Sequence, residues 1–206
     1  MKPSLIYDKL SVYLPDNKVN ICDVKTICTN NINCLYRSCF DILDFDNIKE
    51  YYCFKNRIES LASVDVVAID NLDSSFYFVE KKSSQLFIEN RLSKLKIEKQ
   101  VGAIDKQIGR YNLEKKYQNS CDICIGIVGE EFFVSVQHMF VFLSDIEIEK
   151  DPMSEFHAKL ENLSETSSVW YLKYKTQNLI DSVSCVNKVY LNCKDFDLLL
   201  KGQYNR

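Results

Sequence analysis

The stretch SVDVVAIDNLDSSFYFVEKKSS, residues 63–84, constrains the fold more than any other part of the chain. Two apolar runs, VDVVAI and FYFVEKK, flank a polar turn centred on Leu72-Asp73. Apolar runs joined by a short polar turn read as an antiparallel hairpin. In that register the numbers of opposed residues sum to 145, so Asp65 falls opposite Glu80. Strand side chains alternate between faces, which puts Asp65, Glu80 and Lys82 on one face. Two carboxylates a few Å apart repel each other unless a cation lies between them. Mg²⁺ or Mn²⁺ would supply that cation, with water completing its octahedron. Lys82 would then orient or help deprotonate an attacking water and offset charge in the transition state. A shifted register reverses the faces and hands the first carboxylate position to Asp70, which the favoured register turns away.

Other chemistries lack their residues. The chain has only two histidines, His138 and His157, in separate segments, so no helix carries a two-histidine metal motif. There is no glycine-rich phosphate loop and no G-x-S-x-G turn, which argues against P-loop hydrolases, dinucleotide folds and serine hydrolases. Hydrolysis of a phosphodiester by an oxygen-ligated metal survives, because it needs neither histidine nor a glycine loop. Nine cysteines form an odd set without a secretion signal, so a disulfide framework is not expected. Cys121 and Cys124 in CDICIGIV have metal-type spacing, but the segment alternates like a strand and would send them to opposite faces. Buried reduced thiols are therefore preferred to an iron–sulfur or zinc site.

The net charge of −3 is unevenly spread. Between Glu80 and Lys116 lie ten basic and five acidic residues; the remainder holds sixteen basic and twenty-four acidic. A basic tract in an acidic chain marks either a phosphate-binding face or a solvated helix surface. From 85 to 117 the apolar positions Ile97, Val101, Ile104, Ile108 and Tyr111 step by four, three, four and three, one stripe of a helix.

On these residues the chain resembles a known family. DVVAIDNLDSSFYFVEKK looks like the D…E-x-K signature of the PD-(D/E)xK nuclease superfamily, which also includes Holliday-junction resolvases. There the Asp lies on the second core strand and E-x-K on the third. The resemblance implies that Asp65 and Glu80 bind metal and that Lys82 is the catalytic lysine. QIGRY, 107–111, is similar to the Q-x-x-x-Y motif of RecB-type members, on the helix after E-x-K. It implies that Gln107 and Tyr111, one helical turn apart, orient the site and help bind DNA. A Glu on a preceding helix often joins the metal ligands in that superfamily; here Glu59 and Glu50 are the candidates, and Glu59, six residues before Asp65, leaves little room for a strand between them. Lys94, Lys96, Lys99 and Arg110 would then contact DNA phosphates.

Elsewhere, residues 1–40 read as short strands with turns at LPDN and TNNIN, and 45–62 as partly helical. CDICIGIVG and FFVSVQHMFVFLSDI read as strands, SEFHAKLENLSETS as a helix, and SVWYLKYKTQNLI and SVSCVNKVYLNCKDF as β-rich or mixed. The expectation is one α/β domain, 1–206. A central mixed β-sheet is flanked by helices, with a restriction-endonuclease-like core over about 45–145 and elaborations at both ends. No apolar run is long enough to span a membrane and no signal core is present, so a cytoplasmic protein, or one in the matching compartment of a host cell, is expected. The expected function is a Mg²⁺- or Mn²⁺-dependent deoxyribonuclease with DNA as partner. The alternative keeps the fold without catalysis, as a binding or assembly subunit with protein partners.

Overall fold

Residues 63–84 form the expected hairpin. Strand β3 (Val66–Ile69) pairs antiparallel with β4 (Phe76–Lys82) in the expected register: Val66 opposite Val79, Val67 opposite Phe78, Ala68 opposite Tyr77, Ile69 opposite Phe76. The turn is built by Asp70. Its carboxylate accepts the Ser74 amide at 2.7 Å, the Ser74 hydroxyl, and the Tyr77 hydroxyl at 3.0 Å. This is the local side-chain-to-backbone bonding that makes Asp a turn residue. Asp73 occupies the left-handed region at φ 52° and ties the turn to the N-terminal helix through Ser4, whose amide donates to it at 2.6 Å.

The computed structural model describes residues 2–24, 37–145 and 166–204. Around the hairpin, β1 (Lys18–Asn20), β2 (Asp41–Asp44), β5 (His138–Ser144) and β6 (Asn187–Leu191) complete a six-stranded mixed sheet whose spatial order follows the chain. Strands β1 to β4 run antiparallel to their neighbours, and β4, β5 and β6 run parallel. Parallel strands need a crossover. The β4-to-β5 crossover is the helical run α3 (Ser84–Asn90), α4 (Ile97–Ile108), α5 (Leu113–Val128) and α6 (Glu130–Val134). The chain is an α/β protein with a central mixed sheet flanked by helices.

Period-2 alternation sorts the sheet into two cores. Val67, Phe76, Phe78, Phe140 and Phe142 face α1 (Pro3–Tyr13), α2 (Phe45–Asn56), α4 and α5. Val66, Ala68, Tyr77, Val79, Val141 and Leu143 face the C-terminal α8 (Cys193–Leu200), through Phe196 and Leu200, and the segment at Ile21–Val24. Strand β5, MFVFLS after His138, is buried on both faces, as a central parallel strand must be.

Four local expectations are corrected. Residues 3–13 form helix α1, not strands. Pro3 supplies the pre-set φ of a first helical position, and Pro3, Ile6 and Leu10 make a three-and-four stripe against the sheet. LPDN is a turn as expected, while TNNIN and SEFHAKLENLSETS, including His157, lie outside the described residues save the last two, Thr166 and Ser167, which begin a helix. The helical tract expected over 85–117 is three α-helices, broken at 91–96 and 109–112, and of its apolar stripe Ile104, Ile108 and Tyr111 are buried while Ile97 and Val101 are exposed. Arg91 leaves helical geometry, and Asn112 sits in the left-handed region at φ 47°. CDICIGIVG is not a strand but the end of α5, because the buried face begins upstream: Leu113, Tyr117, Ser120, Cys124 and Val128 step by four, three, four and four. Cys121 and Cys124 are thus one helical turn apart; burial pushes the Cys121 thiol up to about 12 and raises that of Cys124 as well. SVWYLKYKTQNLI lies in helix α7 (Thr166–Asp181), where Ser168, Leu172, Thr176 and Ile180 form the buried stripe. Its two hydroxyl residues hide that stripe from a hydropathy pattern; Thr176 satisfies its own by donating to the Leu172 carbonyl at 2.8 Å.

At the start of β5, His138 stacks on Phe133 with ring centroids 4.0 Å apart and lies edge-on to Phe76 and Phe78. Its Nε2 is buried without a hydrogen-bond partner. Burial lowers its pKa from the ordinary 6.5. A depressed histidine contributes stability that is present above pH 6.5 and lost as the pH falls through its folded-state value. The expected result is that urea-unfolding midpoints of the wild type fall between about pH 7 and pH 5, where histidine titrates, by more than those of His138→Phe. Parallel pH profiles for the two proteins would remove His138 as the acid-sensitive group.

Candidate active site

Asp65 enters the sheet one residue before β3, its amide donating to the Val79 carbonyl at 3.0 Å and its carbonyl accepting from Phe45 at 3.0 Å. Backbone bonds on both sides fix its side chain. That side chain shares the face of Val67 and Phe78, as do those of Glu80 and Lys82. The carboxylate of Asp65 accepts the Lys81 amide at 2.8 Å. Both Asp65 and Glu80 are fully buried, at 0% exposure.

Two lysines meet this pair. Lys82 Nζ contacts Glu80 Oε1 and lies 3.5 Å from Asp65 Oδ2. Lys116, from the first turns of α5, lies 2.6 Å from Glu80 Oε1 and 3.7 Å from Asp65 Oδ1. Each ammonium group therefore touches both carboxylates, and the four charges cancel. The lysines keep 19% and 18% of their side chains exposed, so the cluster opens to solvent on their side. Glu80 Oε2 has no hydrogen-bond partner although it is buried. Burial, and then the charge of Asp65, raise the Glu80 pKa from its ordinary 4.5; Lys82 and Lys116 pull against that rise.

Around Lys82 the site is braced. Its Nζ also donates to the Lys81 carbonyl at 3.1 Å and lies 5.8 Å from the centre of the Tyr111 ring. Tyr111 is buried against Phe142, with ring centroids 6.1 Å apart, and the Gln107 side chain lies beside its hydroxyl. Burial raises the Tyr111 pKa, and Gln107 pulls against that rise. Lys82 ends β4 directly beside Ser144 of β5. Beyond it, the Asp145 carboxylate accepts the Ser84 and Gln85 amides at 2.8 and 3.0 Å, capping α3. The cluster thus lies at the carboxyl ends of adjacent parallel strands, where α/β sheets open their crevices.

Of the residues expected from sequence, Asp65, Glu80, Lys82, Gln107 and Tyr111 come together. Asp70 does not: its carboxylate serves the turn and meets Tyr77 on the opposite face. Glu59 stands exposed in the loop after α2, and Glu50 is exposed on α2, its carboxylate 3.8 Å from Lys49. Among the described residues no three His, Cys, Asp or Glu side chains cluster as a metal site, so Glu59 does not join Asp65 and Glu80. Lys94, Lys96, Lys99 and Arg110 are exposed on the crossover between Lys82 and Lys116. They do not form one basic helix over 91–116, because that tract is broken as described above.

Lys116 is the residue that sequence reasoning missed. Its signal was present: 113, 116, 117 and 120 share one face of a helix, so a lysine at 116 sits on a stripe otherwise made of Leu113, Tyr117 and Ser120. Taking the segment from Cys121 onward as a strand concealed it. Comparison of the chain with protein-family models, with curated proteins and with solved structures found no match.

Proposed function

We propose that the chain is a metal-dependent nuclease of the PD-(D/E)xK type that hydrolyses DNA phosphodiester bonds. One observation carries this: two fully buried carboxylates from adjacent strands converge on the same lysines, with one carboxylate oxygen, Glu80 Oε2, unpartnered. Burying two like charges side by side is costly, and such clusters concentrate at functional sites. The order of parts also supports the reading. Asp65 leads the second and Glu80-x-Lys82 ends the third strand of the β2–β3–β4 meander, with Gln107 and Tyr111 on the helix and turn that follow.

Asp65 and Glu80 would hold the ion, and their hard oxygen donors suit Mg²⁺ or Mn²⁺, which keep several waters and need only one or two protein carboxylates. The ion would supply Lewis acidity and a water of lowered pKa. Lys82, braced by the Lys81 carbonyl and Tyr111, would turn the N–H donors now spent on Glu80 and Asp65 toward the attacking water and the phosphoryl oxygens once the ion takes over those carboxylates. Gln107 lies beside the Tyr111 hydroxyl and would steady the ring against which Lys82 rests. Lys94, Lys96, Lys99 and Arg110, exposed on the crossover that follows Lys82, would contact phosphates, which predicts binding that weakens steeply with salt.

The direct test is purified protein with labelled single- and double-stranded DNA in Mg²⁺ or Mn²⁺. Cleavage that EDTA abolishes is the expected result. A second reading has its own observation: Lys82 and Lys116 already neutralise the carboxylates, as in a nuclease-like fold kept as a binding or assembly subunit. That reading requires no cleavage and no Mn²⁺-dependent rise in melting temperature.

A further inference from the structure

We propose that Lys116 is a displaceable internal cation that competes with the divalent ion for the Asp65–Glu80 pair, and so sets the metal affinity of the site. The inference rests on the nuclease reading. Three observations lead to it.

The first is position. Lys116 Nζ sits between the two carboxylates, 2.6 Å from Glu80 Oε1 and 3.7 Å from Asp65 Oδ1. A divalent cation binding those oxygens meets the ammonium at contact range, with twice the repulsion of two unit charges at that distance. Both cannot hold the pair.

The second separates the lysines. Lys82 has anchors besides the carboxylates, in the Lys81 carbonyl and the Tyr111 ring. The Lys116 ammonium has no partner among the described residues except Asp65 and Glu80. Its side chain is 18% exposed, so a path to water is open. When a stronger cation arrives, Lys116 is the one to leave.

The third is the helix. Lys116 lies near the N-terminus of α5, with its amide bonded to Asn112. A helix N-terminus carries partial positive charge and disfavours a lysine. The ammonium is held by the carboxylates and not by its own helix. Glu80 Oε2, buried and unpartnered, is the independent sign that the pair has unused ligand capacity.

The test is calorimetric titration of the 206-residue chain with Mn²⁺ alone, on wild type, Lys116→Met, Lys116→Gln and Glu80→Gln. Circular dichroism checks each fold, and the glutamine variant serves if the methionine variant does not fold. Removing one unit of competing charge at contact range is expected to tighten Mn²⁺ binding by about tenfold or more. Glu80→Gln should abolish that binding. Glu80-dependent Mn²⁺ binding that is equal or weaker without Lys116 overturns the inference and leaves the nuclease reading standing. Failure of wild type and both Lys116 variants to bind Mn²⁺ through Glu80 overturns both.

Discussion

Lys82→Ala is expected to lower Mg²⁺-dependent DNA cleavage by about 10²–10³-fold, the usual cost of removing one preorganised charge donor from a reaction centre. The substitution truncates a side chain that is 19% exposed at the end of β4, so the chain should stay folded. Two controls give the result its meaning. Glu80→Gln keeps the shape of the side chain but removes a ligand charge, and should lower cleavage at least as far while also losing Mn²⁺ binding. Lys82→Ala should instead retain Mn²⁺ binding, since Asp65 and Glu80 remain. The split between loss of rate and loss of metal separates the two roles. If wild type cleaves DNA and either variant cleaves equally well, the chemistry lies elsewhere on the molecule.

Asp65→Ala carries the largest expected effect on stability, a loss of about 3 kcal/mol in urea unfolding. Its carboxylate accepts the buried Lys81 amide and contacts two ammonium groups, at 0% exposure. Alanine leaves that amide unpaired and the lysines facing Glu80 alone. The lysines reach water, so the unpaired amide and the space left behind account for most of the loss. Asp65→Asn keeps an acceptor of the same size and should lose less than half as much, though it removes a ligand charge and with it cleavage. Asp70→Ala offers the comparison within one hairpin. It gives up turn bonds to Ser74 and Tyr77 but no charge cluster, so a loss of about 1–2 kcal/mol is expected, with cleavage retained. Equal losses at 65 and 70 would show that Asp65 matters only as an acceptor.

The hairpin was legible because two short-range signals agree. Strand alternation fixes which residues share a face, and the polar turn fixes which residues oppose. The observed pairing runs from Ile69 with Phe76 to Val66 with Val79, the register that the turn at Leu72-Asp73 requires, and just beyond it Asp65 and Glu80 meet the same two lysines. Asp70 was the competing carboxylate, and its bonds to Ser74 and Tyr77 show a turn residue doing a turn residue's work. The helical half was less legible. Over 85–117 the stripe of Ile97, Val101, Ile104, Ile108 and Tyr111 covers only α4 and the turn after it, with Ile97 and Val101 exposed, and hydropathy does not register the breaks at Arg91 and Asn112. The residues of α5 after Ser120 alternate locally and pass for a strand until Leu113 and Tyr117 are included. In α7 the buried stripe is half hydroxyl, and Ser168 and Thr176 look like surface positions.

By itself the sequence determined the mixed α/β class, the hairpin register and the shared face of Asp65, Glu80 and Lys82, because each depends on residues near in the chain and on a period of two. Only the tertiary structure decided what surrounds those charges. Lys116 is thirty-six residues from Glu80 and reaches it because the β4-to-β5 crossover folds α5 back over the sheet. Glu59 is six residues from Asp65 in sequence and yet stands in solvent. Long-range packing decides which charges share a low-dielectric pocket, and local periodicity carries no record of it.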